Sequence, residues 1–153
     1  MSAMLDSQPR LRDMHNDDVA DVMAIERAAY PFPWTEGILR DCFRFGYLCK
    51  IYETPAGILG YGVLSVGAGE CHLLNICIRP ELQRRGHGEQ LVQQLLEVAR
   101  HAGAHTALLE VRVSNVAAFR LYDRLGFNEI GQRMGYYPAT GGREDALVLM
   151  REL

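Results

Sequence analysis

The stretch from Asn75 to Gly88, NICIRPELQRRGHG, constrains this chain more than any other. An apolar run of strand type passes through Pro80 into a turn. Gly86 and Gly88 then open a helix predicted over about Gly88–Ala102, with Leu91, Val92, Leu95, Leu96 and Ala99 on one face. Glycines at the mouth of a helix let backbone N–H groups crowd around an anion, and the helix dipole favours negative charge there. Arg84 and Arg85 add positive charge. The spacing fails the Walker pattern, because no Gly-Lys-Ser/Thr follows, and it fails the dinucleotide GxGxxG pattern. Taken alone, such a GxG favours a surface turn with solvated arginines.

The remaining elements read as a mixed α/β chain. A short strand is expected at Leu11–Met14, followed by a helix that starts at Asn16-Asp17-Asp18 and ends near Ala29, where Pro31 and Pro33 stop it. A second helix is expected from Thr35 to about Gly46. Strands follow at Tyr47–Glu53, Ile58–Val66 and Cys71–Ile78, the first two joined by the turn Thr54-Pro55-Ala56-Gly57. Beyond the long helix come a strand at Thr106–Val113, a helix at Asn115–Leu125 broken by Gly126, and strands at Phe127–Met134 and Ala146–Met150. Helices covering a sheet, without a regular βαβ repeat, indicate an α/β sandwich.

Composition narrows the partners. The 153 residues suit one domain, expected to span 1–153 with a loose tail at 1–8. A net charge of -3 argues against duplex nucleic acid as the main partner, since phosphate binding needs a clustered basic surface. Cys42, Cys49, Cys71 and Cys77 form no CxxC pair and have no histidines at zinc-ligand spacing, so buried free thiols and no metal are expected. MSAMLDSQPRLRD lacks an apolar core of signal-peptide length, and no apolar run approaches a membrane span. A cytoplasmic protein without a membrane partner is expected.

Gln83-x-x-Gly86-x-Gly88, after a strand and before a helix, resembles the Q/R-x-x-G-x-G/A signature of the GNAT superfamily of N-acetyltransferases. The resemblance covers about Leu11 to Arg151. It implies a mixed, mostly antiparallel central sheet, splayed at the cofactor site and flanked by helices on both faces. It implies acetyl-CoA as cosubstrate, its pyrophosphate held by main-chain N–H groups of Arg84, Arg85, Gly86, His87, Gly88 and Glu89. Ile76, Cys77 and Ile78 would offer backbone groups to the pantetheine arm, like a strand added to a sheet edge. His87 departs from the family, where an aliphatic residue is common between the glycines.

Downstream, strand alternation puts Leu109, Val111 and Val113 on one face and Leu108, Glu110 and Arg112 on the other. Alone, Glu110 reads as a solvated carboxylate or a partner for Arg112, and Tyr122 as a core aromatic beside Ala118, Phe119 and Leu125. The stretch Glu110-Val111-Arg112-x-Ser114-Asn115-x-Ala117-Ala118 and Leu121-Tyr122-x-x-Leu125-Gly126-Phe127 is similar to the RimI-type branch of the superfamily. That resemblance implies Glu110 as general base, Tyr122 as general acid and Asn115 as a CoA contact that also caps its helix. The chemistry agrees: an α-amine with a pKa of about 8 must lose a proton before it attacks a thioester. The departing thiolate then needs a proton, and backbone N–H groups near Cys77 would steady the oxyanion.

Two further segments resemble that branch: Ile25–Trp34 and Tyr136–Ala146. In the superfamily they flank the acceptor. Trp34, Tyr136 and Tyr137 are therefore expected at the substrate, the tyrosines on a loop stiffened by Pro138. Glu26 sits in an apolar helical stripe, where it would bind a basic group or a loop backbone, or pair locally with Arg27 or Arg40. The acceptor implied is a protein N-terminus, the N-terminal alanine of ribosomal small-subunit protein eighteen. The rivals are a small-molecule amine such as a polyamine or aminoglycoside, a CoA-binding module without turnover, and a ping-pong mechanism through Cys77.

Overall fold

The computed structural model describes residues 8–153, so the expected tail lies outside the described residues apart from Gln8. Its strands are β1 (Arg10–Asp13), β2 (Leu48–Thr54), β3 (Gly57–Gly67), β4 (Glu70–Ile78), β5 (Thr106–Arg112), β6 (Asn128–Ala139) and β7 (Gly142–Glu152). Its helices are α1 (Val19–Ala29, entered through a 3-10 turn at Asn16–Asp18), α2 (Glu36–Arg44), α3 (His87–His101) and α4 (Val116–Arg124). The strands hydrogen-bond in the order β1-β2-β3-β4-β5-β7-β6. β4 and β5 run parallel, while β1·β2, β2·β3, β5·β7 and β6·β7 are antiparallel. The parallel ladder is short, pairing only Glu70–Leu73 with Thr106–Leu109, although β4 continues to Ile78 and β5 to Arg112.

The described residues form two compact units. The first comprises the chain up to Leu64 together with Asn75–Leu95, and the second comprises Ser65–Leu74 with Leu96–Leu153. Strands β3 and β4 pass through both. In the first unit Ile25, Leu39, Ile51, Val63, Leu91 and Leu95 are at most 1% exposed, as helix periodicity and strand alternation require of a core. Two glycines of β3 let other parts of this unit approach closely. A Cβ on Gly60 would collide with the Cys77 carbonyl on β4, and one on Gly62 would come within 2.5 Å of Leu95 on α3. In the second unit Ala107, Leu109 and Val111 are buried and alternate with half-buried Leu108, Glu110 and Arg112.

Local chemistry explains the element ends. Thr35 caps α2 by accepting from Ile38 N at 3.2 Å, and Asn115 caps α4 by accepting from Ala118 N at 3.1 Å. Both helices are followed by a left-handed glycine, Gly46 (φ 74°) and Gly126 (φ 87°). The last hairpin differs from expectation. Tyr136, Tyr137 and Pro138 lie within β6, not on a loop, because Tyr137 pairs with Glu144 and Pro138 with Arg143. β6 ends the strand order, and a proline without an N–H donor is tolerated on an edge strand. A register shift between Arg133 and Tyr137 interrupts the alternation that would have revealed the strand.

The start of α1 rests on a charged cluster. Asp18 receives Arg12 Nη1 at 2.8 Å, Arg12 Nη2 at 2.9 Å and the His15 N–H at 2.8 Å, and Arg12 Nε also reaches Glu53 Oε1 at 2.6 Å on β2. Arg12 holds the Asp18 carboxyl below its ordinary range. A depressed folded-state pKa means a contribution present above the unfolded value and lost as pH falls through the folded one. Asp18→Asn is therefore expected to cost about 1–3 kcal/mol in urea unfolding near neutrality. That difference should shrink as pH falls below about 4. A difference that stays constant down to acid pH would show that the charge of Asp18 is irrelevant.

Candidate active site

In the first unit, the glycine turn has the geometry of an anion cradle. Arg84 (φ 63°) and Gly86 (φ 83°) are both left-handed, and a non-glycine residue held there marks backbone kept in place by its surroundings. The first helical bond of α3 that reaches back to the turn is Gln90 N to Gly86 O at 3.3 Å. Among the described residues, none of the N–H groups from Arg84 to Glu89 donates to a backbone carbonyl outside the regular elements. Helix-start donors left this way need a partner, and a pyrophosphate supplies one. The turn is tied to β4 by Gln83 Nε2, which donates to Ile78 O at 3.0 Å. Arg84 and Arg85 are exposed, while His87 is half-buried with its ring edge-on to Tyr52.

The three expected residues of β4 are not equivalent. The Cys77 carbonyl lies against Gly60 of β3. By alternation, Ile76 and Ile78 turn their main-chain groups to the opposite edge, where Tyr30 Oη donates to Ile76 O at 2.7 Å. Cys77 itself is 3% exposed, and burial pushes its thiol up to about 11. A thiol that keeps its proton at neutral pH is a poor nucleophile, which removes the support for a ping-pong route. Cys42, Cys49 and Cys71 are likewise buried and free.

Glu26 corrects one expectation. It is 3% exposed, and its carboxylate is already engaged. Trp34 N donates to Oε2 at 2.8 Å, Asn75 Nδ2 donates to Oε1 at 2.9 Å, and Tyr61 Oη donates to Oε1. Of the options open in the sequence, the loop backbone holds, not a basic substrate group or an arginine. Arg40 pairs with Glu36 instead. Glu26 thus fastens the half-buried Trp34 and the Pro31–Pro33 turn to β3 and β4, and burial of a carboxylate requires such saturation. Tyr61 and Asn75 escaped the sequence reading; a polar Asn75 inside an apolar strand was the available signal.

In the second unit, Glu110 leaves β5 with its side chain 9% exposed. His72 Nε2 on β4 lies 2.5 Å from Oε2, and Arg133 Nε on β6 lies 3.3 Å from Oε1. The hydrogen bond from His72, then the charge of Arg133, holds the carboxyl below its ordinary range against the opposing effect of burial. Arg112, the partner expected for Glu110, instead reaches Glu144 Oε1 at 2.8 Å and Pro138 O at 2.7 Å. Its guanidinium also stacks 4.5 Å from the Tyr137 ring centroid. Tyr137 is half-buried, and burial, then the Glu110 charge, raises its hydroxyl to about 12. Tyr136 is exposed and meets Tyr137 edge-on at 4.9 Å. Tyr122, half-buried on α4, packs edge-on to Phe127 at 5.6 Å, and burial raises its hydroxyl above the usual range. Among the described residues no cluster of three or more His, Cys, Asp or Glu side chains could hold a metal, and no helix is long and apolar enough to cross a membrane.

A nest of helix-start donors on one unit and an ionised, half-buried carboxylate beside the protonated Tyr137 on the other are parts suited to acyl transfer. Residues 12–127 match the acetyltransferase (GNAT) family, and the chain belongs to that family: it is an acetyltransferase. It is 35% identical over 139 residues to the [ribosomal protein bS18]-alanine N-acetyltransferase of Escherichia coli K12, covering 91% of this chain and 94% of that protein. It is 38% identical over 134 residues to the enzyme of the same description from Haemophilus influenzae, covering 86% and 90%. The crystal structure of the ribosomal-protein-S18-alanine N-acetyltransferase from Escherichia coli superposes with a TM-score of 0.88 at 34% identity, over 95% of this chain and 94% of that one.

Replacing Glu26 tests its role as a fastener. Glu26→Gln puts an amide where two donors converge on one oxygen and Trp34 N needs the other, so one buried donor loses its acceptor. A loss of about 1–3 kcal/mol in urea unfolding is expected. An unchanged midpoint would mean that the loop is held by other contacts.

Proposed function

We infer that this acetyltransferase transfers the acetyl group of acetyl-CoA to the α-amine of a protein N-terminus, the N-terminal alanine of ribosomal protein bS18. The run of unpaired N–H groups from Arg84 to Glu89, with two left-handed residues, is the observation that carries the cofactor assignment. The acceptor assignment is supported by the bS18-alanine acetyltransferases that match this chain over nearly all of its length and theirs. The family profile draws on both units, which supports a single acetyltransferase domain, and bS18 as acceptor is consistent with work in the cytoplasm.

Acetyl-CoA supplies an activated acetyl thioester. The Arg84–Glu89 amides bind its pyrophosphate, the main chain of β4 at Ile76 and Ile78 lines its pantetheine arm, and Asn115 at the head of α4 contacts it. Glu110, ionised through the neutral range, takes the proton of the ammonium directly or through a water. The freed lone pair then attacks the thioester carbonyl. Tyr122 keeps its proton at neutral pH and gives it to the sulfur as the C–S bond breaks. Tyr136, Tyr137 and Trp34 contact the peptide, which carries amides after its amine that a polyamine lacks.

Gly86→Val places a branched side chain at a left-handed position beside the amides. It is expected to weaken acetyl-CoA binding by about 1 kcal/mol or more. Calorimetric titration of the folded variant reads this, and unchanged affinity would remove the cradle. Glu110→Gln should be slowest near neutrality and recover in part as rising pH deprotonates the amine unaided. Tyr122→Phe should lose about 10²–10⁴-fold in turnover while binding acetyl-CoA normally. Near-normal turnover in both would mean that the two residues are structural. A peptide beginning Ala-Arg should be acetylated readily, and the same peptide with a blocked N-terminus hardly at all. Preference for spermidine over that peptide would assign the enzyme to small amines.

A further inference from the structure

His72 belongs to no motif and has no role in the reaction as described above, yet it makes a 2.5 Å contact with Glu110. Its side chain is 36% exposed and lines a surface hollow with Ser65, Val66, Gly67, Glu70 and Leu108, whereas the Glu110 side chain is 9% exposed. One side of the pair therefore faces solvent and the other does not. Nε2 must carry the proton of this contact, because an ionised carboxylate offers only lone pairs. Oε2 is thus committed to His72. Oε1, with its longer 3.3 Å contact to Arg133, is the oxygen left to accept the amine's proton.

We propose that His72 is a positioning residue for the base: it holds Glu110 by Oε2 and so leaves Oε1 to take the proton of the acceptor amine. The inference rests on the reading of Glu110 as base. Each turnover moves one proton from the ammonium to Glu110 and leaves His72 unchanged. Arg133 and Tyr137 act through Glu110 from β6. Glu70 lines the same hollow from His72's own strand, and Ser65, Val66 and Gly67 of β3 bring no charge.

The test measures kcat/KM for an Ala-Arg peptide against pH, with acetyl-CoA saturating, for the wild type, His72→Gln, His72→Leu, Glu110→Gln and the double variant Glu110→Gln/His72→Leu. The wild type should show the rise from the amine. His72→Gln retains an N–H donor for Oε2, so it should keep most of the wild-type rate. His72→Leu should lose about 10-fold or more at every pH, with acetyl-CoA affinity unchanged. With Glu110→Gln as background, adding His72→Leu should cost nothing further, because its effect runs through the carboxylate. A slow Glu110→Gln beside a His72→Leu of wild-type rate and pH profile overturns the proposal and leaves Glu110 as base. Independent, multiplying losses in the double variant also overturn it. A Glu110→Gln of normal rate removes the base itself and the proposal with it.

Discussion

A buried carboxylate is the constraint on which the first unit depends. Glu26 has to be saturated, because an ionised group removed from water without partners costs several kcal/mol. Its partners come from separate elements: the Trp34 amide from the α1–α2 connection, Tyr61 from β3 and Asn75 from β4. Meeting that requirement places the connection against the strands. It also sets the neighbourhood of Tyr30, whose hydroxyl donates to Ile76 O near the end of β4. One charged side chain in an apolar stripe thus organises this end of β4.

The same economy of donors runs in the opposite sense at the glycine turn. Among the described residues the one buried side-chain nitrogen or oxygen without a hydrogen-bond partner, His87 Nδ1, lies in this turn, and the N–H groups from Arg84 to Glu89 donate to no backbone carbonyl outside the regular elements. Arg84 and Gly86 are both left-handed there. In the second unit, Glu110 is kept ionised by a histidine and an arginine while burial keeps Tyr122 protonated. Opposite pKa displacements on a carboxylate and a phenol leave the first ionised and the second protonated at neutral pH.

What was legible in the sequence is local. Helix periodicity placed α3 within a residue of its observed start, and the Thr35 and Asn115 caps marked two helices. Alternation assigned Glu110 to the half-buried face of β5. The Gln83-x-x-Gly86-x-Gly88 signature pointed to the family that the comparison established. The second half of β6 was missed because its register shift breaks the two-residue period and its proline suggests a loop, whereas pairing with β7 makes it a strand. The non-equivalence of Cys77 and its neighbours depends on which strand edge β3 occupies, which no periodicity contains.

The sequence by itself determined where the chain turns, which faces are apolar and where the glycine turn before α3 lies, since dihedral preference and hydrophobic spacing act over a few residues. Only the tertiary structure decided who meets whom. Glu26 proved to hold a loop and not a substrate; Arg112 went to Glu144, and Glu110 went to His72 and Arg133. His72 and Glu110 lie 38 residues apart. Their contact arises because β4 and β5 run parallel with His72 opposite Leu108, two residues before Glu110 on the same face, and no local property of either residue encodes it.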